Sequence, residues 1–268
     1  MRDLRIEPDK KVLLNKIDPD DIGEWKNKKE EGLVELEKLR QELSNLQELL
    51  YAEHKHKVLI VFQAMDTGGK DGTIRSVFEG VNPQGVNVVS FKVPSVVEMD
   101  HDYLWRVHSN VPGKGQLTVF NRSHYEDVLV VRVHNLVQPG VWKKRYEQIN
   151  QFEKFLISEG TLILKFFLHI DPDEQKKRLV ERIETPEKRW KFNPGDLEER
   201  KLWSDYMEAY EDVLSLTSTD WAPWYVIPAN RNWYRNLSVA KIIVKNLKEL
   251  NMKYPPEAED LDKYKSLI

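Results

Sequence analysis

The sequence predicts an α/β fold built on a parallel five-stranded sheet. Two observations predict it. Five short apolar runs, Val58 to Phe62, Val86 to Phe91, Leu117 to Phe120, Thr161 to Leu168 and Trp224 to Ile227, are separated by helical stretches. Alternation of this kind implies right-handed crossovers between parallel strands. Within the runs the apolarity is continuous rather than alternating, as expected for strands covered on both faces.

The elements follow in order. Residues 24 to 50 read as a long helix, with Leu36, Leu39, Leu43, Leu46 and Leu50 at three-four spacing and Glu and Lys between them. That stripe fits a helix packed on its own domain, or alternatively a subunit contact. Further helices are predicted over 70 to 79, 97 to 110, 143 to 158, 173 to 184, 196 to 216 and 233 to 252, and a polar, peripheral tail over Tyr254 to Ile268. No internal repeat or low-complexity linker divides the chain. A single domain over residues 1–268 is expected, with an N-terminal helical extension over about 1–52 and a lid over about 173–201.

Composition excludes several classes. The 268 residues suffice for a sizeable core, and 32% charged residues describe a heavily charged surface. A net charge of −3 gives no global pull toward nucleic acid, so any polyanion site must be a local cluster. Without cysteine there is no disulfide scaffold and no thiolate nucleophile or metal ligand. The charged N-terminus lacks the apolar core of a signal peptide, and no apolar run approaches the ~20 residues of a membrane span. A cytoplasmic location is expected, with neither a membrane nor a nucleic-acid partner.

In parallel sheets ligands bind beyond the carboxyl ends of the strands. The first such end reads Ala64-Met65-Asp66-Thr67-Gly68-Gly69-Lys70-Asp71-Gly72-Thr73. A strand running through a Gly-Gly-Lys turn into a helix is the layout of a phosphate-cradling loop. Gly68 and Gly69 permit the tight turn and close approach to an anion, and Lys70 adds a mobile charge. The usual pattern is G-x-x-x-x-G-K-[ST]. Here Ala64 replaces the first Gly, and Asp71 replaces the hydroxyl that normally holds Mg²⁺. Asp66 lies inside the loop. A carboxylate beside bound phosphates implies an intervening cation or a proton-accepting role; a loop-capping Asp is the plainer alternative.

The third run ends at Asn121-Arg122-Ser123-His124-Tyr125-Glu126-Asp127, where phosphate-loop enzymes usually place a second metal-site acid. Asn121 brings no charge, whereas the planar fork of Arg122 suits phosphate oxygens. Glu126 and Asp127 fit either a substrate or metal contact or an acidic helix start. Within 173 to 201, Arg178 and Arg182 share a helix face. The break Glu184-Thr185-Pro186-Glu187 precedes Lys188-Arg189-Trp190-Lys191-Phe192. Basic residues about a Pro-broken helix pair fit the closing lid of nucleotide kinases, or else a solvated helix face. The histidines lack metal-ligand spacing and fit satisfied surface or core positions.

Four segments together carry a family resemblance: Met65 to Thr73, Phe120 to Asp127, Pro186 to Lys191, and Ala222-Pro223-Trp224-Tyr225-Val226-Ile227-Pro228. From about Tyr51 to Leu247 the chain resembles the second family of polyphosphate kinases, related in fold to thymidylate kinase. The resemblance implies a three-layer α/β/α P-loop kinase fold with a helical lid. It implies reversible phosphoryl transfer between inorganic polyphosphate and a nucleotide, with Mg²⁺ or Mn²⁺. It maps Asp66 onto a metal-binding and acceptor-activating aspartate, Lys70 onto the loop lysine, Arg122 onto a strand-end arginine, and Arg178 and Arg182 onto phosphate-steadying lid residues. Asp66, Lys70 and Arg122 are therefore the expected catalytic set, with Asp66 also the metal ligand. Gly68, Gly69, Asp71, Thr73, Asn121, Glu126, Asp127, Arg178, Arg182, Lys188 and Arg189 are the expected substrate contacts. Many members carry Asp-Arg-Ser where this chain has Asn121-Arg122-Ser123, and Asn-Arg where it has Glu126-Asp127. The form found here is similar to the branch that accepts AMP as well as ADP. Adenine nucleotides are the expected acceptors, with guanine left open, in a homo-oligomer, dimer or tetramer.

Overall fold

A computed structural model describes residues 4–257 together with 261 and 265. The chain enters as an extended segment with two short 3-10 turns. It then forms α1 (Lys29–Glu53), β1 (Lys57–Gln63), α2 (Lys70–Val77), β2 (Val86–Ser90), α3 (Val96–Met99), α4 (Trp105–His108), β3 (Leu117–Asn121) and α5 (Val130–Val133). There follow α6 (Pro139–Ser158), β4 (Thr161–His169), α7 (Pro172–Glu184), a 3-10 helix (Pro186–Lys191), α8 (Gly195–Lys201), α9 (Trp203–Thr217), β5 (Trp224–Pro228) and α10 (Asn232–Glu249).

All five strands are parallel, in the order β2-β3-β1-β4-β5. The period of two along a strand sorts side chains between two layers of helix. Val58, Ile60 and Phe62 of β1, with Leu164, Phe166 and Leu168 of β4, pack against α1, α2 and α10. Leu59 and Val61, with Ile163 and Phe167, join the opposite core beneath α6 and α9. The fold is thus the expected three-layer sandwich. β1 lies at the centre, and its carboxyl end opens directly into the glycine loop.

The leucine stripe of α1 is used internally. Leu36, Leu39, Leu43 and Leu50 are buried in the first core, facing α10. Gly32 admits the Trp233 ring so closely that an added Cβ would lie 2.6 Å from its Cζ3. Leu33 and Val34 at the start of the helix and Tyr51 near its end stay exposed.

Four expectations are corrected. β2 is an edge strand with Asn87, Val88 and Ser90 exposed, not one covered on both faces. The single helix over 97 to 110 is two short helices, because Asp102 Oδ1 accepts from the Leu104 amide and starts a new turn. The helix over 196 to 216 breaks at Leu202 into α8 and α9. The N-terminal extension is helical only from Lys29, apart from short turns. Its first described residues instead pair with β5, through Ile6 N–H to Trp224 O at 2.8 Å and Val226 N–H to Leu4 O at 2.9 Å. Most of the tail expected to be peripheral, beyond residue 257, lies outside the described residues. Among the described residues no helix is long and apolar enough to cross a membrane.

Candidate active site

The loop between β1 and α2 has the backbone its glycines predict. Gly69 sits at φ 99°, a left-handed geometry that non-glycine residues rarely take. A Cβ on Gly68 would fall 2.5 Å from that of Ala64. Thr67 and Arg122 also adopt left-handed backbones, at φ 61° and 62°. Two non-glycine residues in that region, at adjoining strand ends, mark a site where backbone strain is held by its surroundings.

Those strand ends meet side by side. β1 and β3 are neighbours in register, with Phe62 opposite Asn121, and the Arg122 amide donates to Phe62 O at 3.1 Å. Arg122 Nη2 donates to Asp66 Oδ1 at 2.8 Å, and Asn121 Nδ2 to Asp71 Oδ1 at 2.6 Å. Each loop carboxylate is therefore held by the β3 end. Lys70 Nζ donates to Ala64 O at 2.9 Å, closing the loop on itself. Burial and the nearby Arg122 pull the Lys70 ammonium below its usual range, against Asp66, Glu126 and Asp71. Burial opposes the charge on Arg122 too, but Glu126 and Asp66 outweigh it and hold the guanidinium above its ordinary value.

A cavity of about 610 Å³ lies over the loop, and Lys70, Arg122, Arg178, Arg182, Lys188 and Arg235 line it. A second cavity, of about 320 Å³, is lined by Glu126, Glu199, Tyr206 and Tyr210 among others. Asp66, Arg122, Asn193 and Asp196 line both. The catalytic candidates Asp66 and Arg122 thus stand at the junction of a strongly cationic chamber and a more acidic, aromatic one. Burial pushes the Glu126 carboxyl above its usual range. Burial, and then the neighbouring Asp66, do the same to Asp196.

The structure brings together most of the expected residues. Gly68, Gly69, Asp71, Asn121, Arg178, Arg182 and Lys188 line the cationic cavity, and Glu126 the second. Arg178 also ties α7 to the loop, donating to Thr67 O at 3.1 Å and to Glu174 Oε1 at 2.7 Å. Arg182 pairs with Asp196 at 3.0 Å, and Lys188 with Glu181. Three expected contacts line neither cavity. Thr73 is buried in α2 with Oγ1 donating to Gly69 O at 3.0 Å. Asp127 pairs with Arg145 at 3.1 Å, and Arg189 Nε donates to Ile183 O at 2.9 Å. Sequence reasoning missed Arg235, Asn193, Asp196, Tyr206 and Tyr210. The Asn193-Pro194-Gly195-Asp196 turn signal within the basic segment was the one available hint for two of them.

The donor set also bears on a divalent cation. Among the described residues no group of three or more His, Cys, Asp or Glu is arranged to hold one. Asp66 and Asp71 bring two carboxylates of the glycine loop into a cavity otherwise rich in cations, where Glu181 is paired with Lys188 and Asp196 with Arg182. That suits Mg²⁺, which binds through one or two carboxylates and completes its shell with water and substrate phosphates.

Comparison with known proteins agrees with this geometry. The family described as Polyphosphate kinase 2 (PPK2) matches residues 26–255. An AMP/ADP-polyphosphate phosphotransferase of Meiothermus ruber is 60% identical over 95% of this chain and 96% of its own. An ADP-polyphosphate phosphotransferase of Rhodopseudomonas palustris is 47% identical over 88% of each. The crystal structure of Polyphosphate Kinase 2 from Arthrobacter aurescens TC1 superposes with a TM-score of 0.94 at 40% identity, covering 98% of this chain and 94% of that one. Because the family model spans residues 26–255 and these relatives align over 88–98% of this chain, it belongs to the polyphosphate kinase 2 family and is a phosphotransferase of that family.

Proposed function

We propose that this protein reversibly transfers a phosphoryl group between inorganic polyphosphate and AMP or ADP. The observation that carries the reading is the placement of Asp66 and Arg122 at the boundary of two cavities of opposite character. Polyphosphate lies in the cationic cavity over Lys70. The nucleotide enters the second cavity with its terminal phosphate toward Asp66. The names of the Meiothermus ruber and Rhodopseudomonas palustris relatives support these substrates. Guanine nucleotides are further candidate acceptors.

In the forward direction an acceptor phosphate oxygen bonds to the terminal phosphorus of the chain. The bond to the bridging oxygen breaks, and its electron pair leaves with a polyphosphate one unit shorter. Lys70 and Arg122 neutralise charge on the transferring group, and Asp66 receives the acceptor's proton when the acceptor carries one. Positioning and charge neutralisation supply most of the acceleration in such transfers. Asp66 would also hold Mg²⁺ or Mn²⁺, which when bound neutralises phosphate charge. Helices α7 and α8, with the 3-10 helix between them, act as the lid that brings Arg178, Arg182 and Lys188 over the chain.

A cytoplasmic homo-oligomer, dimer or tetramer, with neither nucleic acid nor membrane as partner, completes this reading. Val93, Val96, Val97 and Met99, exposed beside β2, offer apolar surface for assembly, and sedimentation measures it. The decisive experiment is a donor–acceptor matrix, polyphosphate or ATP against AMP, ADP, GMP and GDP with Mg²⁺. Phosphorylation of AMP or ADP by polyphosphate without ATP is expected. Turnover with ATP alone as donor would replace this reading with an ATP-dependent monophosphate kinase.

A further inference from the structure

Arg235 is the strangest cation in the molecule. It lies on α10, is 3% exposed, and lines the cationic cavity. Among the described residues it makes no ion pair with a carboxylate. Its hydrogen-bond acceptors are two neutral amides, Asn232 Oδ1 at 2.8 Å from Nη1 and Asn236 Oδ1 at 3.1 Å from Nε and 3.0 Å from Nη2. The guanidinium lies against the glycine loop so closely that a Cβ on Gly69 would meet Nη1 at 2.1 Å. The same Cβ would stand 3.4 Å from Nη1 of Arg178. Two guanidinium groups therefore converge on one face of Gly69. Burial, and then the positive charge of Arg178, depress the Arg235 pKa to about 9, with Glu174 opposing them weakly.

Bringing two like charges together out of water is unfavourable unless an anion joins them. Asn232 Oδ1 accepts from both arginines and orients them; Glu174, 2.7 Å from Arg178, neutralises that one alone, so among the described residues Arg235 keeps no carboxylate partner. A guanidinium has five N–H donors, and three bonds account for those Arg235 makes here. The remaining donors suit the oxygens of a phosphate bound at Gly69.

We propose that Arg235 and Arg178 form a binding subsite for a phosphoryl group of the donor chain behind the one being transferred, and that this subsite selects a base-free polyphosphate over a nucleoside triphosphate. The inference rests on the donor reading given above. The chemistry of the wall carries the selectivity. Of the residues lining this cavity Phe91 alone has an aromatic ring, and it is 6% exposed. A nucleoside needs an apolar face to stack on. A run of phosphates needs successive cations, and Lys70, Arg178 and Arg235 provide them around Gly69.

The test compares wild type with Arg235→Gln and Arg235→Lys. Calorimetry without nucleotide measures binding of inorganic tripolyphosphate and of orthophosphate. Steady-state kinetics give KM separately for polyphosphate and for AMP. Arg235→Gln is expected to weaken tripolyphosphate binding by roughly tenfold or more, the usual worth of a charged hydrogen bond. It should raise the KM for polyphosphate similarly and leave that for AMP within about twofold. Arg235→Lys, which keeps the charge without the fork, is expected to fall between; it carries the test if Arg235→Gln fails to fold. Unchanged tripolyphosphate affinity in a folded variant overturns the subsite. So does an equal rise in both KM values, or wild-type binding of orthophosphate as tight as of tripolyphosphate. Wild type that turns over ATP but not polyphosphate overturns the donor reading instead, and the two failures are thereby distinct.

Discussion

Lys165 and Glu153 form an ion pair of 2.6 Å with both side chains fully buried, directly behind the loop that carries Arg122 and Glu126. Lys165 interrupts the apolar strand β4 and faces α6 for the same reason that Ile163 and Phe167 do, the period of two along a strand. Glu153 also accepts from the Tyr125 hydroxyl at 2.8 Å and pairs with His124 at 3.2 Å, so this one carboxylate anchors two residues of the loop after β3. Lys165 Nζ donates in addition to Tyr125 Oη at 2.9 Å and to Thr217 O at 2.7 Å. Burial works against the charge of Glu153, yet Lys165 and then His124 hold its carboxyl below the ordinary range.

Removing one partner strands the other in the core. Lys165→Met or Glu153→Leu is expected to cost about 3–5 kcal/mol in urea unfolding, whereas the double variant, with two apolar side chains of similar volume, should cost markedly less. An additive double variant would mean that the pair's members act independently. Because the pair anchors His124 and Tyr125, any folded single variant should lose kcat without a matching change in KM for either substrate.

Asp66 sits where both cavities meet, so its carboxylate is expected to matter to the chemistry rather than to either binding step. Asp66→Asn should lower kcat by roughly 10²-fold or more while both KM values move little. Near-wild-type turnover would remove Asp66 from the reaction. Titrating Mg²⁺ or Mn²⁺ against the variant separates the two duties: if higher metal restores rate, the carboxylate serves mainly as a ligand.

The parts of this site that were legible in the sequence are those whose requirements are local. Gly68, Gly69 and Lys70 follow a strand and open a helix, and the left-handed backbone at Gly69 is what such a turn demands. The polar residues at strand ends were a sound place to search, and Asp66, Lys92, Asn121 and Arg122 all line the cationic cavity. The strand-end rule does not extend to β4 and β5, whose polar ends serve the fold. His169 there binds Ile17 O at 3.1 Å, Asp171 caps α7 through the Glu174 amide at 2.7 Å, and Arg231 pairs with Asp20 at 3.1 Å. Arg235 was hidden because its role comes from α10 packing back against a loop more than a hundred and sixty residues earlier. No spacing within α10 records that approach. Lys165 was visible as a charge inside an apolar run, but its partner on α6 was not.

Asp127 gives a pH signature. Burial, opposed by Arg145 and Arg106, raises its carboxyl from 3.8 to about 6. The folded protein thus holds this proton more tightly than the unfolded chain does. The stability that protonation contributes is complete below about pH 4 and is lost as pH rises to about 6. In Asp127→Asn that loss is absent. Its unfolding free energy relative to wild type should therefore improve across the window by up to about 3 kcal/mol. Urea unfolding of both proteins at several pH values measures the difference. A constant offset would mean that Asp127 titrates normally, with Arg145 offsetting its burial fully.

Gly69 tests how tightly the loop and α10 are fitted. Gly69→Ala meets two independent obstacles: a backbone at φ 99°, and the Nη1 atom of Arg235 2.1 Å from the new Cβ. The left-handed conformation alone costs about 1–2 kcal/mol for a residue with a Cβ. The collision is of another kind, since a guanidinium is the far end of a flexible side chain and can swing away. The double variant Gly69→Ala/Arg235→Gln separates the two. If the collision contributes, the shorter Gln should recover part of the stability lost by Gly69→Ala, a non-additive result. If strain alone operates, the two changes should add. In either case Gly69→Ala should depress turnover by more than its stability loss suggests, because the displaced Arg235 and the re-aimed loop amides both line the cavity proposed to hold the donor.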